Sequence, residues 1–106
     1  MTWQLSRWRA YEVQLPGRKE RTTHFAGHSL ALRVSKVTPP IVAFDPNTNC
    51  GTAEDGEIYQ LLGKSRFNFD VEWTWKNWAT KHLATDCVNV SGAGRDVRER
   101  IENDSI

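Results

Sequence analysis

Asp70-Val71-Glu72-Trp73-Thr74-Trp75-Lys76-Asn77-Trp78-Ala79-Thr80-Lys81-His82 is the stretch on which the fold turns. Val71, Trp75, Trp78, Ala79 and His82 recur at i, i+4, i+7, i+8 and i+11, which is one face of an α-helix. Asp70 suits the N-cap, where a side-chain oxygen accepts from the free N–H groups of the first turn, and Glu72 adds negative charge there. Lys81 and His82 place positive charge at the other end, where the helix dipole favours it. A helix is therefore expected over about 70–83. Its tryptophans cannot all face one core. Trp75 and Trp78 stand about 60° apart around the axis, whereas Trp73 is about 200° from Trp75.

The chain before this helix reads as strands. In Trp8-Arg9-Ala10-Tyr11-Glu12-Val13-Gln14-Leu15 the apolar residues at 11, 13 and 15 alternate with polar ones, the period of a half-buried strand. Pro16-Gly17 is a turn dipeptide, and Arg18-Lys19-Glu20-Arg21 is a solvated hairpin tip. The return runs through Thr22-Thr23-His24-Phe25-Ala26-Gly27, with Gly27 marking a bulge or bend. Leu30, Leu32 and Val34 then alternate with Ala31, Arg33 and Ser35 as a second amphipathic strand. Pro39-Pro40 opens a short apolar strand, Ile41–Phe44, suited to a sheet edge. Glu57–Leu62 is a further strand ended by Gly63, joined to the first through a turn-rich loop of about eleven residues. Cys87–Val90 is a short final strand. Ser91-Gly92-Ala93-Gly94 reads as a joint, and 92–106 as a flexible or frayed tail.

These elements predict one α+β domain over 1–91: a twisted antiparallel sheet of four or five strands packed on one helix. A partly open, barrel-like sheet is an allowed variant, because one helix covers only one face. Leu, Ile, Val and Phe number 23 of 106 residues, just above the level where disorder sets in. Five Trp, four Phe and two Tyr supply the rest of a small core, each burying on the order of 150–250 Å².

Net charge is +1, which excludes a strongly basic nucleic-acid binder or an acidic mimic at the level of the whole chain. The charge is uneven. Residues 1–36 carry seven Lys and Arg against two acids, +5; residues 37–90 carry four against seven, −3; the tail is −1. No apolar run approaches a membrane span, and the first residues lack the apolar stretch of a signal peptide, so a cytoplasmic protein with no membrane contact is expected. Cys50 and Cys87 are then two free thiols.

Pro40-Ile41-Val42-Ala43-Phe44-Asp45, Gly56-Glu57-Ile58-Tyr59-Gln60-Leu61-Leu62-Gly63 and Phe69-Asp70-Val71-Glu72-Trp73, with Leu15-Pro16-Gly17 upstream, resemble a family of small uncharacterised bacterial proteins found on mobile DNA such as phages, plasmids and integron cassettes. The resemblance spans residues 8–80. It implies a bacterial, mobile-element setting. That family has no assigned activity, so no catalytic or binding residue comes with it.

His24 and His28 lie four apart on a strand, about 13 Å along it, too far to share a metal. The carboxylates show no converging pair, the glycines show no phosphate-binding fingerprint, and no catalytic residue, metal or cofactor is assigned. Three functions remain. The first is a non-catalytic interaction module, protein-binding or self-associating as a homodimer, using Trp73, Trp75, Trp78 and Phe44 near the sheet edge. The second is a weak nucleic-acid binder that uses the positive hairpin Arg18, Lys19 and Arg21 with Arg7 and Arg9, and a Trp for stacking. The third is a small enzyme or ligand-binder with a pocket between helix and sheet, where Tyr59 and His82 converge.

Overall fold

A computed structural model describes residues 2–91; the expected tail, 92–106, lies outside the described residues. The architecture is α+β: one helix packed on a mixed, open sheet of seven strands. In chain order these are β1 (Thr2–Gln14), β2 (Thr22–Ser29), β3 (Val34–Val37), β4 (Ile41–Asp45), β5 (Cys50–Ala53), β6 (Ile58–Leu61), α1 (Phe69–Lys81) and β7 (Thr85–Asn89). The sheet order is β3-β2-β1-β6-β5-β4, with β7 also on β1.

β1 is the spine. One edge pairs antiparallel with β2. The other edge is shared: Thr2–Leu5 run parallel to β6, and Tyr11–Gln14 run antiparallel to β7. Between the two halves the register slips at a bulge after Ser6, where Arg7 takes φ 51°. The bulge explains how one strand serves two cores. Leu5, Trp8 and Ala10 pack with Phe25, Ala53, Tyr59 and Leu61, whereas Tyr11 and Val13 pack with Ala26, Val71 and Trp75. The helix covers the second set. The first set is covered by the sheet itself, which curls until Gly51 of β5 lies against the ring of Phe25 of β2. A Cβ at Gly51 would stand 2.6 Å from that ring, so only glycine permits the approach.

The strand count corrects the sequence reading in three places. The sheet has seven strands, not four or five, and it is mixed, because β6 reaches β1 in parallel. The expected long hairpin is a meander: Cys50–Ala53 forms β5 between β4 and β6. The turn into it is set by Asp45, whose Oδ1 accepts the Asn47 N–H at 2.9 Å. The alternating stretch that begins at Leu30 becomes a strand only from Val34. Residues 30–33 are a turn, with Ser29 Oγ accepting the Leu32 N–H at 3.2 Å and Ser29 O accepting the Arg33 N–H at 2.8 Å. Leu30, Leu32 and Val34 are accordingly exposed.

The helix sits where the periodicity placed it, with a different cap. Asn68 is the N-cap, its Oδ1 accepting the Val71 N–H at 3.2 Å. Asp70 lies in the first turn with Glu72, where it still meets the positive end of the dipole. Val71 and Trp75 are buried, and each side chain holds the helix to the sheet with about 1.5–3 kcal/mol or more.

Candidate functional site

The inner face of α1 is an aromatic stack. Tyr11 lies parallel to Trp75 at 4.2 Å, Trp75 to Trp78 at 5.3 Å, and Trp78 to His82 at 4.4 Å. His24 of β2 tilts against Trp78 at 4.5 Å. Trp75 and Trp78 are therefore engaged in packing. His24 is fully buried; its Nδ1 faces Thr38 O at 2.8 Å and its Nε2 faces Thr22 Oγ1 at 2.8 Å. A carbonyl only accepts, so Nδ1 carries the proton and Nε2 accepts from the Thr22 hydroxyl. Burial lowers the His24 pKa, opposed by the Thr38 carbonyl, so the ring is held neutral.

Beside this stack the Tyr11 hydroxyl donates to Glu72 Oε1 at 2.5 Å, and Arg9 approaches the same carboxylate at 3.9 Å. Burial, then the hydrogen bond to Glu72, pushes the Tyr11 phenol far above its ordinary value. This is a polar brace between β1 and α1.

Tyr59 and His82 do not converge. Tyr59 is buried in the core under the sheet's curl, stacked on Trp3 at 6.5 Å with the Lys36 ammonium 4.5 Å above Trp3 and 5.1 Å from Tyr59. Its phenol is raised by burial first, then by Asp55 and Glu57. His82 is the exposed C-cap of α1 on the other core, its ring Nδ1 donating to Trp78 O at 2.9 Å. Phe44 is half-buried and meets Phe25 edge-on at 6.0 Å, so it belongs to the core. Val42, beside it on edge strand β4, is 65% exposed.

The hairpin arginines already hold carboxylates. Arg18 grips Glu54 with both terminal nitrogens, at 2.8 and 3.2 Å. Arg21 binds Glu12 at 2.6 Å and also reaches the Asp86 carbonyl. Lys19 makes no ion pair among the described residues. Arg18, Lys19 and Arg21 line an open concavity of about 680 Å³ that Glu20 and Glu54 line with them. Arg7 lines another, of about 400 Å³, with Ser6, Gly63, Lys64, Ser65 and Arg66 and no carboxylate.

On the outer side of α1, Phe69, Asp70, Trp73, Lys76, Asn77, Thr80 and Lys81 are exposed. Phe69 is 81% exposed and Trp73 69%, and Phe67 (55%) meets Phe69 edge-on at 4.9 Å. Trp73 was legible in the sequence as the tryptophan off the stripe. Phe67, Phe69, Lys64 and Arg66 were not singled out. Their signal was the run Lys64-Ser65-Arg66-Phe67-Asn68-Phe69, in which two basic residues are followed by two aromatic ones at the entry to the helix.

Cys50 and Cys87 are free, and burial raises the Cys87 thiol pKa, the reverse of what a thiolate nucleophile needs. Among the described residues no group of three or more His, Cys, Asp or Glu could hold a metal ion, and no helix is long and apolar enough to cross a membrane. No protein-family model matches the chain, and neither a curated protein nor a solved structure matches it.

Proposed function

We propose that the protein is a non-catalytic interaction module that self-associates through the outer face of α1, in a bacterial cytoplasm. The observation that carries this is Trp73. A tryptophan left 69% exposed in the second turn of a helix, with Phe69 one turn away, is the residue type that anchors interfaces, and it adds nothing to the fold's own core. Charge favours a second copy as the partner. In an antiparallel pair of helices centred on Trp73, residues three before and three after the centre come level across the seam. Asp70 then lies level with Lys76 of the second copy, twice over, as a twofold interface requires.

Light scattering coupled to size-exclusion chromatography tests this at several loading concentrations. The mass rises from 12.1 kDa toward twice that value as concentration increases. Trp73→Ser stays at the monomer mass, with unfolding within about 0.5 kcal/mol of the parent because the site is exposed. Asp70→Lys and Lys76→Asp each weaken the dimer, and the double exchange restores it. A monomer at every concentration, or a dimer indifferent to all three changes, removes the proposal.

A further inference from the structure

The loop between β6 and α1, residues 62–68, crosses β1 where β1 is bulged, and three hydrogen bonds fasten the two together. The Leu62 N–H donates to Leu5 O at 2.9 Å, and the Arg66 N–H donates to Trp8 O at 3.2 Å. The buried Trp8 indole N–H donates to Gly63 O at 3.1 Å. They frame the concavity of about 400 Å³ that Arg7, Lys64 and Arg66 line together with the hydroxyl residues Ser6 and Ser65. No carboxylate lines it.

Two features meet at this place. First, its cations are free. Arg7, Lys64 and Arg66 make no side-chain hydrogen bond or ion pair among the described residues, whereas Arg9, Arg18 and Arg21 each face a carboxylate. Three like charges around one cavity repel one another and do not stabilise the fold. Second, the backbone is strained there. Arg7 holds φ 51°, a left-handed conformation that costs a non-glycine residue on the order of 1–2 kcal/mol. A bulge re-aims the side chain it carries, here toward the loop's two cations. Phe67 and Phe69 continue the loop directly from Arg66, both exposed.

We propose that this concavity binds the phosphodiester backbone of single-stranded nucleic acid, with Phe67 and Phe69 presenting ring faces to its unpaired bases. Guanidinium groups bind phosphate oxygens in pairs, and serine hydroxyls donate to the oxygens that remain. Aromatic side chains stack on any base whose face is free. A duplex hides those faces, and an acidic peptide satisfies the cations but brings nothing flat to the phenylalanines. Phe69 also belongs to the helix face around Trp73, so the three cations and Phe67 are the part of the site that self-association leaves free.

The test is fluorescence anisotropy of a labelled oligothymidylate of about twelve nucleotides, titrated with the full chain at increasing salt. Binding weakens with salt at a log–log slope of about −2, the value for three phosphates on a single strand. Lys64→Ala with Arg66→Ala lowers affinity at least about tenfold and flattens the slope. Arg7→Gly does the same in part without lowering the melting temperature, because glycine accepts the left-handed backbone; this variant keeps the bulged backbone while removing one of the cavity's three charges. Phe67→Ala weakens binding about tenfold and leaves the slope unchanged. Arg18→Ala, at the hairpin, changes nothing. The proposal is overturned by absence of binding, by equal affinity for a fully paired duplex, by equal competition from polyglutamate, or by indifference to Arg7→Gly and the Lys64/Arg66 pair.

Discussion

The two faces of the β1–β2 pair are covered by different means. On one face lies α1, whose Val71 and Trp75 meet Tyr11, Val13 and Ala26. On the other lies the sheet's own curl, which brings Tyr59, Leu61 and Ala53 of β5 and β6 over Leu5, Trp8 and Phe25. The curled face is closely packed and apolar at its centre, with Gly51 required for its closest contact and the Lys36 ammonium over Trp3 and Tyr59 at its rim. The helix face is aromatic but polar at its edges: His24 is buried within it, and Glu72 is tied to Tyr11 beside it. A face closed by strands depends on volume, and a face closed by a helix depends here on volume and on proton positions together.

The largest expected effect breaks the curled face. Trp8 is 1% exposed, packs on Phe25 at 6.5 Å and also pins the β6–α1 loop through Gly63 O. Trp8→Ala removes an indole that its neighbours cannot replace and is expected to cost about 3–5 kcal/mol. Chemical denaturation near neutral pH measures it. A loss below about 1 kcal/mol would mean that the curl closes over the gap, and that this face is more plastic than its packing indicates.

The second effect belongs to the helix face alone. His24 is held neutral, its pKa lowered mainly by burial, with Arg18 and His82 acting in the same direction and Glu54 and the Thr38 carbonyl opposing. Its contribution to stability is present in full above the ordinary value of 6.5. As pH falls below that, the unfolded chain binds a proton that the folded one refuses. Stability is then lost at up to about 1.4 kcal/mol per pH unit until the folded-state pKa is reached. His24→Asn, whose amide N–H can replace Nδ1–H toward Thr38 O, is expected to flatten the curve between about pH 6.5 and 5, while costing stability at higher pH. Denaturation midpoints across that range decide it; an unchanged slope in His24→Asn would assign the acid sensitivity to other groups.

The two faces were also unequally legible. The helix face announced itself: the stripe from Val71 to His82 and the alternation at Tyr11, Val13 and Leu15 are periodic over many residues. The curled face did not. β5 is four residues, Cys50-Gly51-Thr52-Ala53, set among turn formers, and its defining residue is a glycine whose role appears only when Phe25 lies against it. The parallel pairing of β1 with β6 joins segments more than fifty residues apart and leaves no local mark. The same holds for the bulge: nothing in Ser6-Arg7-Trp8 declares a positive φ. Local alternation also misled at Leu30 and Leu32, where Ser29 captures two backbone N–H groups and bends the chain before the strand begins at Val34. For the candidate sites, Trp73 was readable as the helical residue without a core to face. The unequal fate of the arginines was not, because whether Arg18 meets Glu54 and Arg7 meets nothing depends on partners far away in sequence.

The smallest effect sharpens the comparison by testing whether the polar edge of the helix face contributes as a brace. Tyr11 stacks on Trp75 at 4.2 Å and donates its hydroxyl to Glu72. Tyr11→Phe keeps the ring, the stack and the volume and removes only the hydrogen bond. Glu72 is part-exposed and still has Arg9 at 3.9 Å, so its carboxylate is not left stranded. The expected loss is about 1 kcal/mol, the usual net value of one such bond. Because the Tyr11 phenol is raised far above its ordinary value, the parent gains this increment from the protonated hydroxyl, and deprotonation works against the fold. The parent's advantage over Tyr11→Phe is therefore constant through neutral pH and shrinks once alkaline pH passes the ordinary tyrosine range, where the unfolded chain ionises and the folded one does not. Equal stability of the two proteins at neutral pH, or an advantage that grows with alkalinity, would show that the ring alone joins β1 to α1 and that the helix face, like the curled one, rests on packing.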